Sequence, residues 1–243
     1  MIFKYLKLDW TITLRQKIYL ILSVGMPLVF FLIFTSLTKV PQSEANQIYK
    51  ESLMSMTVFS LTSYCLLTFP VELVQDKQNG WQKKLFATPM TPIKYYVAKV
   101  FKIMSLFLFS IILMFSVGGM IRHIHMSLYE WLVSGLLLWI GSSLFLSIGL
   151  LLAQHKDVKQ ASSIGNLLYL VLTIVGGLWF PISLFPQWLA SISRYMPTYR
   201  LKQLGLDFIQ HQTINIAALG FLLGYCILFI IIALVIQKKS DVM

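Results

Sequence analysis

The stretch INIAALGFLLGYCILFIIIALVI, residues 214–236, contains 23 residues and no charged side chain or histidine. A helix rises about 1.5 Å per residue, so about 20 apolar residues cross the roughly 30 Å hydrocarbon core of a bilayer. A helix also satisfies the backbone hydrogen bonds within one segment, which is required where no water is present. The stretch therefore predicts a transmembrane helix.

The rest of the chain repeats this pattern. Of the 243 residues, 57% are hydrophobic and 12% are charged, whereas a soluble domain has about 25% charged residues. None of the apolar runs alternates in the manner of a β-barrel strand. The sequence therefore predicts an all-α integral membrane protein, with residues 1–243 forming one membrane domain of six spans. The predicted spans are Ile18–Thr38, Leu53–Leu73, Ile103–Ile121, Trp131–Ala153, Ser162–Phe180 and Ile214–Ile236.

The formal net charge of +11 indicates membrane topology and not a nucleic-acid partner. If the N-terminus is cytoplasmic, 14 of the 20 Lys and Arg residues fall on the inner side of the predicted spans. Cytoplasmic connections carry the excess of basic residues in membrane proteins. We therefore predict a multi-pass membrane protein with both termini in the cytoplasm. The two cysteines lie inside apolar runs and predict neither a disulfide framework nor a metal site.

A polar segment, ELVQDKQNGWQKKLFATPMTP at residues 72–92, lies between the second and third predicted spans. Asn79-Gly80 predicts a turn or a helix stop, because both residues tolerate a left-handed backbone. Thr91-Pro92 predicts the start of the next helix, with Thr as N-cap and Pro at the first helical position. The connection is therefore expected to be structured.

Between that turn and that start, Trp81, Leu85 and Phe86 predict a short amphipathic helix, which Thr88-Pro89 ends. From its chemistry alone, this segment fits two interpretations equally. It is either a solvated basic loop anchored to lipid by Trp81 or a helix that docks on another protein.

Two further segments favour short helices near the membrane surface. Residues 1–17 place Phe3, Leu6, Trp10 and Leu14 near one face, which predicts an interfacial helix; the alternative is a loose basic tail. Residues 181–213 carry an apolar stripe at helical spacing, with Pro186 as a first helical position and Pro197 as a stop. We expect short helices in the outer leaflet between the fifth and sixth spans.

The middle of each predicted span contains no Asp, Glu, Lys, Arg or His, which disfavours an ion-coupled carrier or an intramembrane hydrolase. The second span is rich in hydroxyls, which indicate either packing between helices or a face that lines a substrate path. Ser60, Ser63 and Asn166 are the candidate residues for such a path. Gly220 and Gly224 form a GxxxG pair, which we interpret as packing within the chain and not as a dimer contact.

Two parts of the sequence resemble the membrane subunits of type-2 ABC exporters, a class that includes drug, polysaccharide and peptide-resistance permeases. In that family an acidic, basic and glycine-containing cytoplasmic segment follows the second span and leads into a Leu-x-x-x-Pro pattern. The matching positions here are Glu72, Asp76, Lys77, Gly80, Leu85 and Pro89. The second part is GGLWFPISLFPQWLASISRYMPTYRL, residues 176–201, which is similar to the family's glycine–aromatic–proline exit from the fifth span. The resemblance covers essentially the whole chain.

This resemblance implies residue roles. It implies ATPase coupling for ten positions: Glu72, Asp76, Lys77, Gly80, Trp81, Lys83, Lys84, Leu85, Phe86 and Pro89. It implies an outer gate for seven more: Gly176, Gly177, Phe180, Pro181, Pro186, Trp188 and Pro197. The chain departs from the family at Asp76-Lys77-Gln78, where an Arg-Glu type pairing is common, so the salt-bridge partners stay open.

The resemblance also implies a mechanism. The chain has no G-x-x-x-x-G-K-[ST] phosphate loop, so ATP and Mg²⁺ are expected on a separate ABC ATPase subunit and no cofactor is expected on this chain. A second permease copy, or a homologous permease, would complete the membrane part. An amphipathic or hydrophobic substrate would move outward. The alternative function is a membrane scaffold or sensor for an ATPase or a signalling kinase, without transport of its own.

Overall fold

The computed structural model describes residues 2–15, 21–37 and 42–241, and over these ranges the regular structure is helical. We number the α-helices in chain order. They are α1 (Ile2–Arg15), α2 (Ile21–Leu37, of which Ile21–Gly25 is a π-helical turn), α3 (Gln42–Ser63), α4 (Phe69–Gln78), α5 (Trp81–Phe86), α6 (Pro92–Arg122), α7 (Leu128–Leu144), α8 (Leu146–Leu152), α9 (Val158–Val175), α10 (Gln187–Ser193), α11 (Pro197–His211) and α12 (Ile216–Asp241).

Five helical segments are long and apolar enough to cross a membrane: Ala45–Gln78, Pro92–Arg122, Leu128–Leu152, Val158–Val175 and Ile216–Ile236. They correspond to the second to sixth predicted spans, which confirms the all-α membrane class. The helix α2 is apolar but shorter. Residues 18–20 and 38 of the predicted first span lie outside the described residues, so the count of six spans stays a prediction.

The second span lies at the centre of the bundle. In its most apolar window 78% of the residues are buried, whereas the corresponding values for the fifth and sixth spans are 17% and 11%. The core therefore forms around Ala45–Gln78, and the fifth and sixth spans present most of their surface outward.

The second span is interrupted by a π-helical turn, Tyr64–Thr68, directly before Phe69-Pro70. Pro70 has no N–H to give to the preceding turn, and a wider turn accommodates its ring. Gly149 and Gly165 lie against this turn. A Cβ at Gly149 would be 2.5 Å from the Cys65 carbonyl oxygen, and one at Gly165 would be 2.5 Å from the Leu66 carbonyl oxygen. The fourth and fifth spans therefore approach the backbone of this irregular turn.

The fifth span ends at Val175, five residues before the predicted end at Phe180. The reason is a Schellman motif: Leu178 N–H donates to Thr173 O and Gly177 N–H donates to Ile174 O. Gly177 has φ of +67°, a left-handed conformation that favours glycine. The Gly176-Gly177 pair thus stops the helix, and a loop continues to Pro181.

The outer connection forms a 3-10 turn, Ile182–Leu184, and two helices, α10 and α11. Pro186 lies one position earlier than predicted, because it caps α10 and Gln187 is the first helical residue. The prediction of Pro197 as a stop is wrong: α10 already ends at Ser193, and Pro197 is the first residue of α11. Its fixed φ suits that position.

The GxxxG pair does not pack inside the chain, contrary to our interpretation of the sequence. A Cβ at Gly220 or Gly224 would meet no described atom outside its own helix within 4 Å. Both glycines therefore lie on the outward surface of α12.

Candidate coupling site at the lysine-rich end of the bundle

The polar connection between the second and third spans adopts the predicted arrangement. The helix α4 ends at Gln78, and Gly80 has φ of +68°, which reverses the chain before α5. The next helix starts at Thr91-Pro92, where the Thr91 hydroxyl accepts a hydrogen bond from Lys94 N–H at 3.4 Å. We call the end of the bundle that carries α5 the lysine-rich end.

The side chains of α5 divide between two surroundings. Trp81 and Leu85 are half-buried, and Leu85 packs against the core of the bundle. Lys83, Lys84 and Phe86 are exposed, and Phe86 also touches the Tyr95 ring edge-to-face at a centroid distance of 5.9 Å. Part of the predicted apolar face therefore anchors α5 to this chain, and the lysines with Phe86 form its outward surface.

Five charged side chains meet behind α5, and we call them the charge cluster: Asp9 on α1, Glu72 and Asp76 on α4, and Lys99 and Lys102 on α6. Lys99 Nζ lies 3.1 Å from Asp9, 2.9 Å from Asp76 and 3.6 Å from Glu72. Lys102 Nζ lies 3.1 Å from Asp9 and also pairs with Glu72. Three helices that are distant in sequence are therefore joined by ion pairs.

The two lysines and Asp9 are buried, whereas Glu72 and Asp76 are partly exposed. Lys99 is 2% exposed, Lys102 1% and Asp9 6%. A buried charge is tolerated only when it is paired. Each of the two lysines forms ion pairs with at least two carboxylates. The cluster thus fixes the relative positions of α1, α4 and α6, since moving one helix away would leave charges unpaired in an apolar environment.

Two tyrosines extend the cluster. Tyr95 O–H donates to Asp76 Oδ2 at 2.7 Å and its ring touches Phe86 on α5. The Tyr5 ring lies 6.0 Å from the Tyr95 ring. Burial raises the pKa of the Tyr5 phenol well above its ordinary value; Lys99 opposes the rise, and Asp9 and Asp76 add to it. Tyr5 is therefore neutral at physiological pH.

Of the five cluster members, the family resemblance predicts a role for Glu72 and Asp76, and its pattern continues to Lys99. Lys102 counts only among the basic residues of the inner side, and Asp9 is not among the predicted site residues. The available signal was spacing: Lys99 and Lys102 are three residues apart and Glu72 and Asp76 four apart, which places each pair on one helix face. The sequence leaves the salt-bridge partner of Asp76 open, and in the structure that partner is Lys99.

The remaining coupling residues lie around this site. Lys77 is exposed on the last turn of α4 and has no ion-pair partner among the described residues. Pro89 is exposed after α5, and the next residue, Met90, is buried. Lys77 and Pro89 therefore lie on the surface beside α5 and outside the charge cluster.

At the opposite end of the bundle, side chains of α11 form hydrogen bonds with the end of the fifth span. Lys202 Nζ donates to Gly177 O at 3.0 Å and lies 3.4 Å from Glu51, and Thr198 Oγ1 donates to Leu172 O at 2.6 Å. Burial lowers the pKa of Lys202, and Glu51 opposes that effect. The two glycines of the predicted outer gate thus touch α11.

The other predicted gate residues are mostly outward. Phe180 is 50% exposed and Trp188 66% exposed, and Pro181 and Pro186 lie between them in the connecting turns. Pro197 is buried at the start of α11. The structure therefore brings together Gly176, Gly177 and α11, and leaves the aromatic residues on the surface.

The hydroxyls of the second span are engaged. Ser60 donates to Ser23 O at 2.7 Å and lies 2.6 Å from Ser110 Oγ, and Ser63 donates to Ser60 O. These contacts favour the packing interpretation for both serines. Asn166 is exposed on α9 and its amide reaches Ser162 at 3.5 Å.

The described residues contain no group of three His, Cys, Asp or Glu side chains placed to hold a metal ion. The comparison with known proteins decides the class instead. A family model described as ABC-2 type transporter matches residues 2–202. The chain belongs to the ABC-2 type transporter family.

A curated relative agrees with this family. The chain is 30% identical over 230 residues to "Putative transport permease YvfS" of Bacillus subtilis (strain 168), and the match covers 94% of this chain and 93% of that protein. The family and this relative together support a multi-pass membrane permease subunit, which is a component of a transporter. The family implies an ABC ATPase as its partner in general.

Proposed function

We propose that this chain is the membrane-spanning permease subunit of an ATP-driven exporter, and that a separate ATPase subunit binds ATP and Mg²⁺ and docks on α5. The observation that carries this proposal is the position of α5. The helix is held on the surface by Trp81 and Leu85, presents Lys83, Lys84 and Phe86 outward, and lies directly against the charge cluster.

The charge cluster connects α5 mechanically to three other helices, so that a movement of α5 on ATPase closure would reach them. Phe86 contacts Tyr95, Tyr95 bonds Asp76, and Asp76 pairs with Lys99, which pairs with Asp9 on α1. A displacement of α5 on ATPase closure would therefore move α4, α6 and α1 together, because separating them leaves buried charges unpaired. In this arrangement α5 acts as a coupling helix and α1 is an interfacial helix that moves with it.

The proposed orientation places the lysine-rich end and both termini in the cytoplasm, in the bacterial cell membrane. The exposed lysines around α5 support it, because basic connections stay on the cytoplasmic side. The end with α10 and α11 then faces outward. The contact of Lys202 with Gly177 would let α11 and the end of the fifth span move as one outer gate.

The surface of the fifth span supports a second permease copy. Only 17% of its most apolar window is buried within one chain, and Asn166 is exposed on it. A polar amide is costly against lipid, so such a residue faces a partner helix or a polar path. We propose that two permeases enclose the substrate path here. The substrate would be an amphipathic or hydrophobic molecule, such as a drug, an antimicrobial peptide or a lipid-like compound.

The test is co-purification of this chain with candidate ABC ATPases, followed by ATP-driven transport in vesicles. Lys83→Glu with Lys84→Glu should weaken ATPase binding about tenfold or more, because introduced like charges at a docking surface cost several kcal/mol. Lys159→Glu, an exposed lysine on the first turn of α9, is the matched control.

The outcomes separate the candidate functions. Loss of binding and of transport only in the α5 variant supports the proposal. Unchanged ATPase binding and unchanged transport in that variant would refute the docking role of α5. ATPase binding without ATP-driven transport of any tested amphiphile would favour the scaffold or sensor function.

A further inference from the structure

A groove of about 490 Å³ opens at the lysine-rich end, between α4, α6, α8 and α12. Its lining includes Lys77, Tyr96, Val100, Leu150, Gln154 and Leu234. The volume is in the range of sites that hold small molecules. The groove is separate from the charge cluster, whose residues do not line it.

The groove has an amphipathic lining. Val100, Leu150 and Leu234 make its walls apolar, and Leu234 is 61% exposed on a span that is barely covered by the rest of the chain. Lys77 and Tyr96 supply hydrogen-bond donors at the rim. An acyl chain beside a polar group with acceptor oxygens fits such a lining.

The positive charge of Lys77 at the rim favours a ligand whose polar group is negatively charged. Lys99 and Lys102 are neutralised by carboxylates, but Lys77 has no ion-pair partner among the described residues. An exposed, uncompensated ammonium at the end of a transmembrane bundle attracts anionic lipid headgroups. Phosphate oxygens are strong acceptors for its three donors.

A hydrogen bond joins two residues of the groove lining. Gln154 Nε2 donates to Ala233 O at 2.6 Å, which ties the end of the fourth span to the sixth span across the groove. Gln82 of α5 contributes to the lining as well. An occupant would therefore touch α5 and four spans at once.

We infer that this groove binds one anionic phospholipid of the inner leaflet, with its phosphodiester at Lys77 and an acyl chain between α6, α8 and α12. The inner-leaflet assignment rests on the orientation proposed above. The binding chemistry does not, because Lys77 and the apolar walls are features of one chain. The lipid would contribute to the position of α5 through Gln82.

The test measures lipid binding to the purified, delipidated permease by native mass spectrometry, without the ATPase. Phosphatidylglycerol should bind about fivefold or more tightly than phosphatidylcholine, the factor expected for one basic residue near an anionic headgroup. Lys77→Gln should remove this preference. Leu150→Trp should reduce binding of both lipids by filling the groove, and Lys159→Gln should change nothing.

Each remaining result would overturn the inference. These are equal binding of the two lipids to the unmodified chain, the same preference in Lys77→Gln as in the unmodified chain, or loss of preference in Lys159→Gln as well, which would indicate general surface charge. Lys77 is exposed, so its variant is expected to fold, and a thermal-unfolding scan checks this. Because no ATPase or transport is measured, failure here is distinct from failure of the docking proposal.

Discussion

Replacing Lys99 by Met tests the charge cluster most severely. The substitution keeps an unbranched side chain that is one atom shorter, and it removes the ammonium that contacts Asp9 at 3.1 Å and Asp76 at 2.9 Å. At an effective dielectric constant of about 20, each contact contributes about 5 kcal/mol of attraction. Desolvation of the ammonium offsets several kcal/mol of this sum.

The net change in stability depends on the charges that remain in the cluster. Three carboxylates would be left with Lys102 alone, and breaking a buried ion pair by removing one partner costs about 3–5 kcal/mol. We therefore expect Lys99→Met to lower the free energy of unfolding by about 3–5 kcal/mol, or two to four orders of magnitude in the unfolding equilibrium constant.

The assay is reversible unfolding in mixed micelles with an increasing fraction of denaturing detergent, monitored by tryptophan fluorescence. Lys94→Met is the control, because Lys94 is exposed on the same helix and forms no ion pair among the described residues. It should change the free energy of unfolding by less than about 0.5 kcal/mol.

A double-mutant cycle completes the test. Asp9→Asn should cost less in the Lys99→Met background than in the unmodified chain, with a coupling energy of about 1–3 kcal/mol. Equal stabilities of Lys99→Met and Lys94→Met, or strictly additive effects of Lys99→Met and Asp9→Asn, would refute the reasoning that ion pairs hold α1 to α6.

Two further predictions concern the opposite end of the bundle. Because folding lowers the pKa of Lys202, the charged ammonium disfavours the folded state. The stability of the unmodified chain relative to Lys202→Met should therefore increase as the pH rises towards the ordinary lysine pKa near 10.4. Thermal unfolding between pH 7 and 10 measures this difference, and a difference that does not depend on pH would contradict the prediction. Gly177→Ala should destabilise the protein by about 1–2 kcal/mol, because φ is +67° and the new Cβ would be 2.5 Å from Ile182 Cγ2. The control Gly220→Ala, where a Cβ meets no described atom outside its own helix within 4 Å, should not destabilise it; equal losses in the two variants would show that the backbone conformation is not responsible.

Much of the fold is predictable from the sequence because membrane helices are specified locally. Apolar length alone places the second to sixth spans, since lipid leaves the backbone no alternative. Local turn chemistry likewise predicts the break at Asn79-Gly80 and the helix start at Thr91-Pro92. These signals need no knowledge of distant residues.

The differences arise where tertiary contacts decide. The early end of the fifth span depends on a Schellman motif at Gly177, and Pro197 starts a helix because α11 packs into the bundle. The outward position of Gly220 and Gly224 was not accessible from spacing, which is the same for an internal and an external helix contact.

The charge cluster shows the same limit in the candidate site. Spacing places Glu72 with Asp76 and Lys99 with Lys102 on helix faces, but the meeting of these faces with Asp9 on α1 is a property of the bundle. The family pattern identified α4 and α5 as important, and the structure adds the partners on α1 and α6.

Site-specific photo-crosslinking tests whether α5 docks on the ATPase, in membranes that contain the permease and an ABC ATPase that co-purifies with it. A photo-crosslinking residue replaces Lys84 on α5 or, as control, Leu128, which is 75% exposed at the opposite end of the bundle. We expect a crosslink to the ATPase from position 84 and none from position 128. ATP-driven transport by a permease that gives no crosslink from position 84, or that gives one from position 128, would contradict this expectation.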